Sequence, residues 1–154
     1  MESKLVDLKG KNALIAGGDG GIGFCNAGGL AQAGANIIVA ARNETKTAES
    51  ISKLNDIGNN CEGIQVEVTD ESSVQNMVSK SIEKFGNVDI LINNAGIGIR
   101  KRPEEYTLTE WNKVVDINLT GAFICSKEVY PHMKRNGGGK IINIGSMTSI
   151  FGLD

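Results

Sequence analysis

Proline is nearly missing, with two residues in 154. No Gly-X-Y period accompanies that scarcity, so collagen-like and Pro-rich low-complexity chains are excluded. Histidine occurs once, at His132. The three cysteines, Cys25, Cys61 and Cys125, form no Cys-x-x-Cys spacing. Neither a zinc site nor a disulfide framework is expected, and no metal is assigned. No apolar run reaches the ~18 residues of a membrane helix. The opening Met1-Glu-Ser-Lys-Leu-Val-Asp lacks the apolar core of a signal peptide. Net charge is −2, so no excess of Lys and Arg is available to neutralise nucleic-acid phosphates. A reduced, cytoplasmic chain is expected, with residues 1–154 as one domain and neither membrane nor nucleic acid as a partner.

Glycine, by contrast, is abundant: 20 residues, nearly double the usual ~7%. Hydrophobic residues make up 40%, enough for a globular core. Apolar runs at Lys11–Ala16, Asn36–Ala41, Glu62–Val68, Val88–Asn93 and Lys140–Ile144 are expected strands. Between them lie expected helices at Ile22–Ala33, Glu44–Ile57, Glu71–Phe85 and one long helix within Leu108–Arg135. In the second helix Ala48, Ile51, Leu54 and Ile57 face inward, with Asn43 as N-cap and Gly58 as stop. In the third, Val74, Met77, Val78, Ile82 and Phe85 follow the i, i+3, i+4 pattern, with Thr69 or Asp70 as cap and Gly86 as stop. Continuous apolar strands alternating with helices predict an α/β fold, a doubly wound parallel sheet of order 3-2-1-4-5. Ligands of such sheets bind beyond the carboxyl ends of the strands.

After strand 1 the chain reads Ala16-Gly17-Gly18-Asp19-Gly20-Gly21-Ile22-Gly23 and runs into a helix. The glycines parse either as G-x-G-x-x-G (18, 20, 23) or as G-x-x-x-G-x-G (17, 21, 23). Both let backbone approach a pyrophosphate held at a helix N-terminus. No Gly-Lys-Ser/Thr follows, so this is not a Walker A loop. Strand 2 ends at Ala41-Arg42. A cation where NAD-binding folds place an acid suits a 2′-phosphate, which favours NADP, with NAD as the alternative. Asp19 counts toward NAD, because its charge opposes a second phosphate. Asn93-Asn94-Ala95-Gly96 follows strand 4, and Gly145-Ser146 follows strand 5. His132 reads as a solvated residue near a helix end, the three cysteines as small core residues and Trp111 as packing. Arg100-Lys101-Arg102 reads as a solvated run, or as a lure for an anionic substrate.

Together these segments resemble the short-chain dehydrogenase/reductase family, with Ala16 in place of the threonine in Thr-Gly-x-x-x-Gly-Ile-Gly. Asn93–Gly96 matches Asn-Asn-Ala-Gly, Ile117–Gly121 matches Val-Asn-Leu-Thr-Gly, and Asn143–Ser146 matches Asn-Ile-x-Ser. The segment Gly139–Gly152 is also similar to gluconate 5-dehydrogenase-like and glucose 1-dehydrogenase-like members. The resemblance implies a Rossmann-like sheet lacking its last strands here. It also implies hydride transfer between a nicotinamide and an alcohol or carbonyl substrate. The implied cofactor contacts are Gly17, Asp19, Gly20, Gly21, Ile22, Gly23, Arg42, Glu67 near the adenine, Val68, Asn94, Ala95 and Gly96. Asn118 and Ser146 become the asparagine and serine of a catalytic tetrad.

The family's Tyr-x-x-x-Lys is expected after Ser146, further along than Asp154. Tyr130-Pro-His-Met-Lys134 precedes the serine strand and reads as a chance match. A sheet cut after strand 5 exposes an edge and an apolar helix face. The adjacent Gly28 and Gly29 cost a helix about 1 kcal/mol each relative to alanine. The chain is therefore expected to be a fragment of a longer frame, or a shortened relative with impaired folding. A catalytically inactive dinucleotide-binding module is the alternative function. Family resemblance implies a homo-oligomer for a full-length relative, but the helix that would pair with 108–135 is expected to be missing here.

Overall fold

A computed structural model describes residues 6–57 and 60–147. The strands are β1 (Asn12–Ala16), β2 (Asn36–Ala41), β3 (Cys61–Gln65), β4 (Ile90–Asn93) and β5 (Lys140–Asn143). All pairings are parallel and the order is β3-β2-β1-β4-β5, as expected from the alternation. The helices are α1 (Gly21–Gln32), α2 (Glu44–Asn55), α3 (Glu71–Phe85), α4 (Leu108–Val115) and α5 (Gly121–Arg135). The central strands are buried on both faces, which is why they read as unbroken apolar runs. Alternate residues feed two cores. Leu14, Ile38 and Leu91 pack under α3 and α5 with Val74, Met77, Cys125 and Val129. Ile15, Ile37, Val39 and Ile92 pack against α1 and α2 with Ala27, Ala31 and Leu54.

Local chemistry sets most helix boundaries. Asn43 caps α2 by accepting from the Lys46 N–H at 2.9 Å. Asp70, not Thr69, caps α3 by accepting from the Ser72 and Ser73 N–H groups. The Ser72 hydroxyl and these amides hold the Asp70 carboxyl below its usual range. The α2 stop expected at Gly58 lies outside the described residues.

Four expectations need correction. In α2 the inward face is Thr47, Ser50, half-buried Ile51 and Leu54, while Ala48 is exposed and Ile57 is 38% exposed. The gap between α2 and β3 is narrow: a Cβ on Gly63 would meet the Thr47 methyl at 2.7 Å. Small Thr and Ser therefore suit that face. The long helix over 108–135 contains a π turn, Asp116–Thr120, closed by the Gly121 N–H on the Asp116 carbonyl. Cys25 is exposed and Cys61 half-buried, and only Cys125 is a core thiol, pushed by burial up to about 11. Trp111, at 58% exposure, does not pack in the interior.

Among the described residues β5 is an edge strand, with Ile142 44% exposed. Gly28 and Gly29 lie in α1 with open space where a Cβ would sit, so no close approach requires either glycine. Gly28→Ala and Gly29→Ala should each raise stability by about 0.5–1 kcal/mol, read as a higher denaturation midpoint at unchanged slope.

Candidate functional site

The carboxyl ends of the sheet open on a cleft of about 650 Å³. Five chain segments line it: the loop after β1, the exit of β2 into α2, Val66–Val68 after β3, Asn94–Ile97 after β4, and Ile117 of the π turn. Of the residues named from sequence, Gly17, Asp19, Gly20, Arg42, Glu67, Val68, Asn94, Ala95 and Gly96 meet there. Gly21, Ile22 and Gly23 form the first turn of α1 beside it.

The loop after β1 is locked by backbone contacts. The Gly17 N–H donates to the Ala40 carbonyl at 2.7 Å, and the Asn94 N–H donates to Ala16 at 3.0 Å. The Asn94 side-chain amide donates to the Gly17 carbonyl at 2.7 Å. Gly17 has φ +79, and a Cβ there would lie 2.7 Å from the Ala95 backbone. A Cβ on Gly23 would lie 2.1 Å from the Gly17 carbonyl oxygen, a contact that only glycine permits. Gly20, in contrast, has open space beside it and an extended φ of 177. The spacing 17, 21, 23 is therefore the one that the backbone uses. The N-cap Gly20 makes no side-chain cap hydrogen bond, and α1 has no acid in its first turn. Its leading N–H groups and positive dipole end can accept an anion. The Ser50 hydroxyl donates to the Asp19 carbonyl at 3.2 Å, tying this loop to α2.

At the β2 side the cleft carries Arg42 and also Lys46, which the sequence reading did not single out. Its signal was its place in the first turn of α2, four residues after Arg42. The Arg42 guanidinium stands 3.9 Å from the Glu67 carboxylate, and both side chains are well exposed. That pair is weak, so the arginine can turn to a stronger anion. The other Glu67 oxygen accepts from the Thr69 hydroxyl at 3.0 Å. Val68 is buried and presses on Gly121, where a Cβ would meet its methyl at 2.8 Å.

The two asparagines after β4 divide their work. Asn94 holds the glycine loop. Buried Asn93 donates to the Ser126 hydroxyl at 2.9 Å and to the Asn143 side chain at 2.8 Å, joining β4 to α5 and β5.

Asn118 sits in the π turn, and its amide grips the Ile97 backbone twice: the Ile97 N–H donates to Oδ1 at 2.8 Å and Nδ2 donates to the Ile97 carbonyl at 2.9 Å. Asn118 thus fixes the loop that ends the cleft. Ser146 is exposed three residues beyond β5, on the strand end beside that loop. Tyr130 and Lys134 lie at the opposite end of the sheet. There Gly138 bonds to the Met133 carbonyl and Lys140 bonds to Asp89, the residue preceding β4. They share no site with Asn118.

Among the described residues no group of His, Cys, Asp and Glu could hold a metal, and no helix is long and apolar enough to cross a membrane.

The family profile described as short chain dehydrogenase matches residues 11–153. An uncharacterized oxidoreductase of Thermotoga maritima is 40% identical over 139 residues, covering 90% of this chain and 54% of that protein. The 2-dehydro-3-deoxy-D-gluconate 5-dehydrogenase of Formosa agariphila is 40% identical over 153 residues, covering 99% of this chain and 58% of that protein. The crystal structure of an NAD+-bound xylitol dehydrogenase superposes with a TM-score of 0.92 at 31% identity, covering 95% of this chain and 56% of that one. The chain therefore spans a little over half the length of these relatives.

Proposed function

Because this chain belongs to the short-chain dehydrogenase family, we propose that it is the cofactor-binding part of an NAD(P)-dependent oxidoreductase. Its substrate is a small alcohol or carbonyl compound. The observation that carries this reading is the uncapped start of α1, set behind a glycine loop at the point where the sheet order reverses. The residues present fit a dinucleotide. Gly17 and Gly23 bring backbone where side chains cannot go, and the open flank of Gly20 leaves room for a pyrophosphate. Val68 and Ile117 offer an apolar wall to an adenine or nicotinamide ring.

When bound, the nicotinamide donates or accepts the hydride. The chain's own residues orient and polarise. Asn118 keeps the 94–97 loop in place through Ile97. The Ser146 hydroxyl donates a hydrogen bond to the substrate oxygen, which stabilises charge developing there as the carbonyl is reduced.

NADP is the preferred cofactor in this reading, with Arg42 and Lys46 on the 2′-phosphate and no acid at Ala41 to take a ribose hydroxyl. Calorimetric titration tests it. NADPH should bind more tightly than NADH, and Arg42→Ala should weaken NADPH about tenfold while leaving NADH within about twofold. Tighter binding of NADH to the unaltered chain would reassign the cofactor to NAD. Binding of neither would remove the dinucleotide reading altogether.

A further inference from the structure

Only one asparagine of the chain, Asn136, is followed by glycine. That pair carries a chemistry of its own. The backbone nitrogen after an asparagine can attack the side-chain amide carbon and close a five-membered ring. At every other asparagine the next residue carries a Cβ, which crowds that nitrogen and restricts its backbone.

Asn136 ends α5, and the run Gly137–Gly139 leads from it into β5. The helix closes in a Schellman turn. Gly137 stands at φ +84, the Gly138 N–H donates to the Met133 carbonyl at 2.8 Å, and the Gly137 N–H donates to the Lys134 carbonyl at 3.3 Å. The longer of these bonds belongs to the nitrogen that the ring needs. Asn136 itself has φ −90 and ψ 14. Ring closure takes ψ away from that value, so the Gly137 peptide must swing out of the turn. Open space surrounds the Cβ positions of both Gly137 and Gly138, so no packed neighbour blocks the swing. Among the described residues the Asn136 side chain has no hydrogen-bond partner, so its amide is not held away from the backbone. Residues 134–139 are all exposed, and water, the second reactant, reaches them. Lys134 and Arg135 stand in the last turn of α5, where their charge favours the negative oxygen that forms as the ring closes.

We propose that Asn136 is a site of spontaneous deamidation, a slow covalent change in the turn between α5 and β5. The Gly137 nitrogen gives its proton to solvent and bonds to Asn136 Cγ. The Cγ–Nδ2 bond breaks, Nδ2 takes up a proton, and ammonia leaves. Water then opens the succinimide at either carbonyl, which leaves aspartate or isoaspartate at position 136. Neither an oxidant nor a cofactor takes part.

Both products disturb the entry to β5. Aspartate places a negative charge at the negative end of the α5 dipole. Isoaspartate adds a main-chain carbon to a turn with little slack. A Cβ on Gly139 would meet Met133 Sδ at 2.5 Å, and the Lys140 N–H is bonded to the Asp89 carbonyl at 2.9 Å.

The test is a long incubation of the full 154-residue chain, folded, at pH 8. Peptide mapping by mass spectrometry follows each asparagine, and labelling with an isoaspartyl methyltransferase reports the isoaspartate. Asn136 should convert at least about tenfold faster than any other asparagine, and Gly137→Ala should slow it about tenfold or more. Asn136→Gln, whose ring would be six-membered, should remove the methyl label and leaves the glycine turn unaltered. The aged chain should melt at a lower temperature than fresh chain, and aged Asn136→Gln should not. An intact Asn136 when other asparagines have begun to convert would overturn the proposal. So would a rate unchanged in Gly137→Ala, or a label that persists in Asn136→Gln.

Discussion

Gly23→Ala should cost about 3 kcal/mol or more of stability and at least about 100-fold in NADPH affinity. The added methyl would sit 2.1 Å from the Gly17 carbonyl oxygen and 2.6 Å from the Asn94 side-chain nitrogen. Neither neighbour can yield cheaply. The Gly17 carbonyl is held by Asn94, and the Gly17 N–H is bonded to Ala40. Relief requires moving either the start of α1 or the whole loop, and both carry the proposed phosphate-binding amides. For a domain of this size the melting temperature should fall by roughly 6–12 °C. A scanning-calorimetry trace and an NADPH titration matching the unaltered chain would mean that the loop is far softer than its contacts indicate. The Gly28 and Gly29 changes in the same helix serve as controls, because the same substitution there meets nothing.

Asn12→Ala should destabilise the chain by about 3 kcal/mol, and once the variant is folded should leave NADPH affinity unchanged. Asn12 is 3% exposed at the amino end of β1, the end of the sheet away from the cleft. Its amide nitrogen donates to the carbonyls of Phe85 and Asn87, both at 3.1 Å, and to the Asn87 side chain at 2.6 Å. Its amide oxygen accepts from Asn36 at 2.8 Å; the backbone N–H, which alanine would keep, donates to Asp89 at 2.9 Å. One side chain thus joins β1, β2 and the turn between α3 and β4. Removing it strands buried donors and acceptors that water cannot reach freely. Asn12→Asp should be worse than Asn12→Ala at pH 7, because a carboxylate would face the carbonyl oxygens of Phe85 and Asn87. Its excess penalty should shrink as acid protonates it. Urea melts of the two variants at pH 7 and pH 4 measure this. A penalty for Asn12→Asp that is independent of pH would show that the amide's donors are not what matters there.

Sequence alone determined the order of elements and the parallel sheet, and with them the strand ends where a candidate site was to be sought. The reason is periodicity. Strands buried on both faces must be apolar throughout, and capped helices such as Glu71–Phe85 carry their boundaries in their own side chains. The glycine loop was legible as a loop for the same local reason.

Which glycines mattered was not legible, because the decisive neighbours, Ala95 and Asn94, come from the segment after β4, some seventy residues away in the chain. Lys46 reached the cleft, and Thr47 and Ser50 faced inward, only through the distance at which α2 packs on the sheet. The grip of Asn118 on Ile97 depends on a π turn that no spacing rule revealed. Asn12 looked like one residue of an apolar run, yet it anchors three elements. Each of these belongs to tertiary structure. Local sequence sets what a segment prefers, while close approach and hydrogen-bond partners arise between segments that only the folded sheet brings together.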